Sequence, residues 1–164
     1  MGETSGAWND FFVAEVGATA ALAGLIIVAI SINLQRILAY QQLPGRALEA
    51  LTILVGALLV CGLALIPAQP VRALGWEMLA IEAAVLVTAI VLQVKAYRAD
   101  TRQPTRWWLV RLLLMIAIIA PIVVGGAMLA SGHGVGLYWV AAGVLFTIAA
   151  SVMNTWVLLV EILR

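Results

Sequence analysis

Five long apolar segments constrain the fold of this chain more than any other feature. An α-helix needs about 20 predominantly apolar residues to cross the ~30 Å hydrocarbon layer of a bilayer, and every segment meets that length. Of the 164 residues, 65% are hydrophobic and 10% are charged, whereas soluble domains are about 25% charged. The sequence predicts an all-α membrane protein in a lipid bilayer, with a single transmembrane domain over residues 1–164. The expected helices cover residues 10–35, 47–66, 76–97, 107–130 and 137–162.

The fourth segment leaves one alternative to five spans. It contains Pro121 and the pair Gly125-Gly126, which predict a kink or a local loosening that neighbouring helices must repair. In a four-helix arrangement this segment would re-enter the membrane without crossing it. The connections on either side are too short to hold a separate domain.

The basic residues sort to one side of a five-span arrangement. That side holds the first and third connections and the C-terminus, and the N-terminus and the other two connections lie opposite. Because arginine and lysine are retained in the cytoplasm, we expect the N-terminus outside and the C-terminus inside. Eight of the nine basic residues fall on the cytoplasmic side and only Arg72 on the other; the eight are Arg36, Arg46, Lys95, Arg98, Arg102, Arg106, Arg111 and Arg164.

Two carboxyl groups fall inside the predicted spans. Glu15 and Glu82 each follow an interfacial tryptophan by six or seven residues, on helices that enter from the outer side. At about 1.5 Å per residue, both lie roughly 10 Å deep. One interpretation is a proton or small-cation site, formed by both groups or by several copies of Glu15 in a homo-oligomer. The other is structural, with Glu15 protonated or bonded to Thr19, Thr88 or helix-start N–H groups.

The first segment carries a stripe at helical spacing that is polar at both ends. Such a stripe suits a pore lining with an apolar constriction, with Thr19 and Asn33 among the pore candidates. It equally suits a packing face whose polar residues lie at the two membrane interfaces. The stripe comprises Glu15, Thr19, Leu22, Ile26, Ala29, Ile30 and Asn33.

A second face of the first segment is made of small residues. Gly17, Ala21 and Gly24 share this face, and in membranes small residues let helix backbones approach closely. We therefore expect the first helix to be buried among other helices through these three residues.

The remaining polar residues do not form a catalytic set, so we do not expect an enzyme or a cofactor. A net charge of +1 without a basic cluster argues against nucleic acid. The single cysteine, Cys61, excludes an internal disulfide, and His133 has no spaced partner for a metal. Asn154 is expected to form an interhelical hydrogen bond, and Glu49 to pair with Arg46 on its own helix.

The first third of the chain resembles a group of small bacterial integral membrane proteins typical of actinobacteria. The resemblance lies in a W-x-x-F-F-V-A opening at 8–14, an S-I-N-L-x-R-I exit at 31–37 and an L-P-G-R turn at 43–46. It implies a multi-pass protein of the bacterial cytoplasmic membrane.

Two functional hypotheses follow. The first is a homo-oligomeric bundle that binds or conducts a proton or small cation, with Glu15 as the principal residue. The alternative is a non-conducting subunit that docks on another membrane complex through the small-residue face of the first helix.

Overall fold

The computed structural model describes residues 3–39, 43–99 and 105–163, and it contains only helices and turns within these ranges. Five of the helices are long and apolar enough to cross a membrane, and only the short α2 is not. The predicted all-α membrane fold with five spans is confirmed. The helices are α1 (Glu3–Ile32), α2 (Leu34–Ala39), α3 (Leu43–Ala64), α4 (Val71–Ala99), α5 (Thr105–Ala130) and α6 (Gly136–Leu163).

Helix α5 shows that the fourth segment is a full span. It runs unbroken from Thr105 to Ala130 with Pro121 inside it, and its membrane-spanning part begins at Trp108. The four-helix alternative is therefore wrong. All five long helices start earlier than the sequence predicts, by the most at α1 (Glu3), α4 (Val71) and α3 (Leu43).

The junction between α1 and α2 lies at Asn33. The Asn33 side-chain amide donates a hydrogen bond of 2.9 Å to the Ala29 carbonyl, one turn earlier. The helix resumes at once, because the Ile37 N–H donates to the Asn33 carbonyl at 2.9 Å. Helix α2 thus occupies part of the stretch that the sequence predicts to be the first connection.

Helix α3 is the central helix of the bundle. It packs against α1, α4 and α6, while α5 packs against α4 and α6. Helices α3 to α6 therefore form a closed ring, and α1 lies outside it against α3. Half of the α3 span is buried, 50%, compared with 17% of the α1 span.

The small-residue face of α1 is exposed. A Cβ atom placed at Gly17 or Gly24 would meet no other atom within 4 Å, and Ala21 between them is also exposed. Within one chain, the prediction that α1 is buried among the other helices through these residues is therefore wrong. Larger side chains on a different face make the contact with the ring. The side chains that α1 buries are Phe12, Thr19 and Ile26.

Close helix approach occurs elsewhere, at glycines of α4, α5 and α6. A Cβ atom at Gly75 would overlap the backbone nitrogen of Ala130, and one at Gly125 would lie 2.6 Å from the carbonyl of Gly136. Gly126 faces α4, because its Cβ position lies 3.4 Å from the Gly75 carbonyl. The glycine pair that predicted a loosened helix is thus a point where α5 packs closely on both sides.

The described residues form three buried apolar clusters, of which a small one joins α2 to the start of α3 and the two larger ones fill the bundle. The first, near the start of α1 and α4, contains Phe12, Val60, Cys61, Met78, Ile122, Leu129, Val140 and Val144. The second, toward the opposite end, contains Ile53, Val85, Ala89, Met115 and Ile119.

Candidate functional site

Glu82 is a buried carboxyl in the middle of a membrane span. It is 3% exposed and lies on α4 between Met78 of the first apolar cluster and Val85 of the second. Its carboxyl group forms no hydrogen bond within the described part of the chain. Burial of a carboxyl without a protein partner is costly in a membrane, and such residues often mark functional sites.

Glu15 lies on the side of α1 that faces α3. Its side chain is partly buried, its Oε2 atom is buried without a hydrogen bond, and it lies within electrostatic range of the Cys61 thiol. The Thr19 hydroxyl donates to the backbone carbonyl of Glu15 at 2.6 Å, not to its carboxylate. Thr88 is exposed and donates to the Ala84 carbonyl. The expected bonds from Thr19 or Thr88 to the Glu15 carboxylate are therefore not formed.

The carboxyl groups of α1 and α4 lie at nearly the same depth. Helices α3 and α4 are antiparallel, and Gly56 of α3 faces Val85 of α4. This register places Glu82 level with residues 59–60 of α3. Phe12 of α1 and Met78 of α4 belong to the same buried cluster as Val60 and Cys61 of α3. Glu15 and Glu82 follow Phe12 and Met78 by three and four residues, so the two carboxyl groups lie within about one helical turn of each other in depth. Helix α3 contacts both α1 and α4, and no hydrogen bond joins the two carboxyl groups among the described residues.

The polar-ended stripe of α1 faces the rest of the chain. Thr19 and Ile26 are buried, and the stripe's other members, including Asn33, are partly buried. The Asn33 side chain is bonded to its own helix. Within a single chain the stripe is a packing face, the second of its two interpretations.

A carboxylate that the sequence did not single out is bonded across three helices. Glu49 of α3 is 5% exposed. Arg111 of α5 donates from Nη2 to its Oε2 at 2.8 Å, and Gln93 of α4 donates from Nε2 to its Oε1 at 2.6 Å. The Gln93 nitrogen also lies 3.6 Å from the Met115 sulfur. These charge-assisted bonds join α3, α4 and α5 and fix the register of the three helices.

A sequence signal for this three-helix network exists. Glu49 lies six residues from the start of α3, Gln93 six residues from the end of α4, and Arg111 six residues from the start of α5. All three helix ends lie on the same side of the bundle, so the three polar groups share one level. The sequence alone suggested only Arg46, on the same helix, as a partner for Glu49.

The carboxyl groups described above do not combine with other side chains into a metal site in the described part of the chain. Among the described residues there is no group of three or more His, Cys, Asp or Glu side chains that could hold a metal ion. His133 is exposed in the turn between α5 and α6, and Cys61 is a free, buried thiol.

The chain matches no protein-family model, no curated protein and no solved structure. Function is therefore inferred from the site geometry alone.

Proposed function

We propose that the protein binds a proton or a small cation inside the membrane at Glu82, with Glu15 as a second carboxyl at the same level. The observation that supports this most is the burial of Glu82, 3% exposed, without a hydrogen bond from the described residues. An ionised carboxyl at the centre of a span costs about 2.5–3.5 kcal/mol on insertion scales. A bound proton or cation removes that cost, because it neutralises the charge.

The proposed site lies within one protomer. Glu15 is partly buried within its own chain and its Oε2 atom is fully covered, which favours an internal site over a ring of Glu15 side chains around a symmetry axis. We propose a homo-oligomer in which the exposed face of Gly17, Ala21 and Gly24 supplies the subunit contact, since small residues permit close packing in lipid.

We further propose that the protein resides in a bacterial cytoplasmic membrane with its N-terminus outside. The eight-to-one split of basic residues and the resemblance of residues 8–46 support this location. In that orientation Glu15 and Glu82 lie in the outer half of the bilayer, and the Glu49–Arg111 pair lies near the cytoplasmic end.

Ion flux in proteoliposomes tests this function. Wild-type protein should carry protons or sodium or potassium ions, and Glu82→Gln should reduce the flux at least tenfold while the protein stays folded. Glu15→Gln should also reduce it, since both groups lie at one level. Glu77→Gln is the matched control, because Glu77 is on the same helix but exposed and bonded to Gln69. Flux that is equal in all four proteins would contradict the carboxyl site.

The second candidate is a non-conducting subunit that docks on another membrane protein through α1. The same exposed glycines favour it, because they leave a close-packing face without a partner in the chain. The oligomeric state in mild detergent separates the two functions. A ring of identical subunits with flux supports the first, and a monomer without flux supports docking. In either case Gly17→Leu should disrupt the contact.

A further inference from the structure

A cavity of about 280 Å³ lies between α3, α5 and α6, beside the Glu49–Arg111 pair. Two of its wall residues, Leu114 and Met153, are 58% and 65% exposed, so the cavity opens on the outer surface of the bundle. In a membrane that surface contacts lipid. The polar residues of its wall are Glu49, Arg111, Ser151 and Asn154.

The polar groups of this wall have unused hydrogen-bonding capacity. Ser151 is 3% exposed, and its hydroxyl is buried without a partner. The expected interhelical bond of Asn154 is not formed with any described residue. Arg111 uses one nitrogen for Glu49 and remains 33% exposed, so further guanidinium donors are available. An unpaired buried hydroxyl costs about 1–3 kcal/mol, and a bound group that satisfies it would recover that cost.

The polar and apolar parts of the cavity lie at different depths. Helices α5 and α6 are antiparallel, and Gly143 of α6 faces Ile122 of α5. This register places Asn154 level with Arg111, three residues inside the start of the α5 span at Trp108. The apolar wall continues toward the membrane centre. Its deeper residues are Ile53 of α3 and Ile118 of α5, and Ala150 lies beside Ser151 on α6.

We propose that this cavity binds a membrane phospholipid, with the phosphate at Arg111, Asn154 and Ser151 and part of one acyl chain against the apolar wall. The available groups are mainly donors, which suit the acceptor oxygens of a phosphate. Both carboxylate oxygens of Glu49 are already bonded, so Glu49 does not compete for these donors.

Two further features fit a lipid better than a free anion. The change from polar to apolar wall follows the order of head group and chain in a bilayer leaflet. The volume lies just below the range of about 300–1,000 Å³ for ligand pockets, which suits a head group and a short stretch of chain. The site is separate from Glu82, so this inference does not depend on the proposed function.

Native mass spectrometry of the full chain in mild detergent tests the proposal. The probes are dimyristoylphosphatidylglycerol, dimyristoylglycerol with the same chains but no phosphate, and inorganic phosphate. We expect one phosphatidylglycerol per chain, bound at least tenfold more tightly than dimyristoylglycerol and not displaced by inorganic phosphate. Equal binding of the two lipids would contradict the phosphate site, and displacement by inorganic phosphate would indicate a free-anion site instead.

Variants of the unpartnered groups locate the binding. Ser151→Ala combined with Asn154→Ala should weaken phosphatidylglycerol binding about tenfold without lowering the melting temperature, since no bond between side chains is lost. Ala150→Leu should weaken binding by filling the apolar part of the cavity. Ser131→Ala is the matched control, because Ser131 is exposed at the opposite membrane end and bonds only the Ala127 carbonyl. Binding that is unchanged in both cavity variants would overturn the proposal.

Discussion

Glu49 and Glu82 are both buried carboxyl groups in membrane spans, 5% and 3% exposed, but their surroundings differ. Glu49 receives hydrogen bonds from Arg111 and Gln93. Glu82 lies between two apolar clusters and receives none from the described residues. Burial alone therefore does not distinguish a structural carboxylate from a binding site. The bonding partners make that distinction.

The difference has a direct energetic meaning. Glu49 is held as an ion pair, so removing a partner leaves a buried charge uncompensated. Glu82 has no protein partner to lose, so its removal should cost little stability. We therefore expect mutations around Glu49 to affect folding and mutations at Glu82 to affect binding.

The largest expected effect is that of Arg111→Met. It should lower the free energy of unfolding by about 3 kcal/mol, which is the low end of the cost of breaking a buried ion pair. The low end applies because the Arg111 side chain is 33% exposed. Unfolding in mixed micelles with increasing dodecyl sulfate measures this. Arg72→Met, at an exposed position of α4, is the control and should change stability by less than about 0.5 kcal/mol.

A double variant tests whether Arg111 and Glu49 act as a pair. Arg111→Met with Glu49→Met removes both charges and should recover most of the stability lost in Arg111→Met, because apolar pairs often replace buried ion pairs without loss. Additive destabilisation in the double variant would show that the two residues do not act as a pair.

A smaller effect is expected for Gln93→Leu. This substitution removes one hydrogen bond to Glu49 but keeps the ion pair with Arg111. Side-chain hydrogen bonds between membrane helices contribute about 1 kcal/mol, and the loss should be of that size in the same unfolding experiment. A loss as large as that of Arg111→Met would mean that Gln93 has a role beyond this bond.

The smallest effect on stability is expected for Glu82→Leu. A carboxyl without a hydrogen bond is replaced by an apolar side chain in apolar surroundings, so stability should stay the same or rise by about 1 kcal/mol. The measurement is again unfolding in mixed micelles. A loss of more than about 2 kcal/mol would show that Glu82 has a structural partner and would remove the contrast with Glu49.

The number of spans could be predicted from sequence because bilayer thickness sets a required helix length that all five segments meet. Which helices pack against each other could not be predicted from the sequence. Gly17 and Gly24 look like a packing face, yet they are open, whereas Gly75 and Gly125 lie at the closest helix contacts. Small residues permit close approach, but which helices meet depends on the arrangement of the whole bundle.

The candidate site was predictable in depth but not in bonding. Counting residues from the helix ends put Glu15 and Glu82 at one level, and the shared cluster of Phe12 and Met78, just before them on α1 and α4, agrees with this. The bonds of Glu49 come from residues 44 and 62 positions away in the chain. No local pattern specifies such pairs, because they form only when three helices adopt one register.

Infrared difference spectroscopy of the protein in lipid bilayers tests most directly whether Glu82 holds an exchangeable proton or cation. We expect the wild type to show a protonated-carboxyl band that falls as the pH is raised or as a bound cation replaces the proton. Glu82→Gln should remove most of this band, whereas Glu49→Gln should leave it in place because both carboxylate oxygens of Glu49 accept hydrogen bonds from Gln93 and Arg111. A band that is absent at every pH, or one that Glu82→Gln does not change, would contradict a binding site at Glu82.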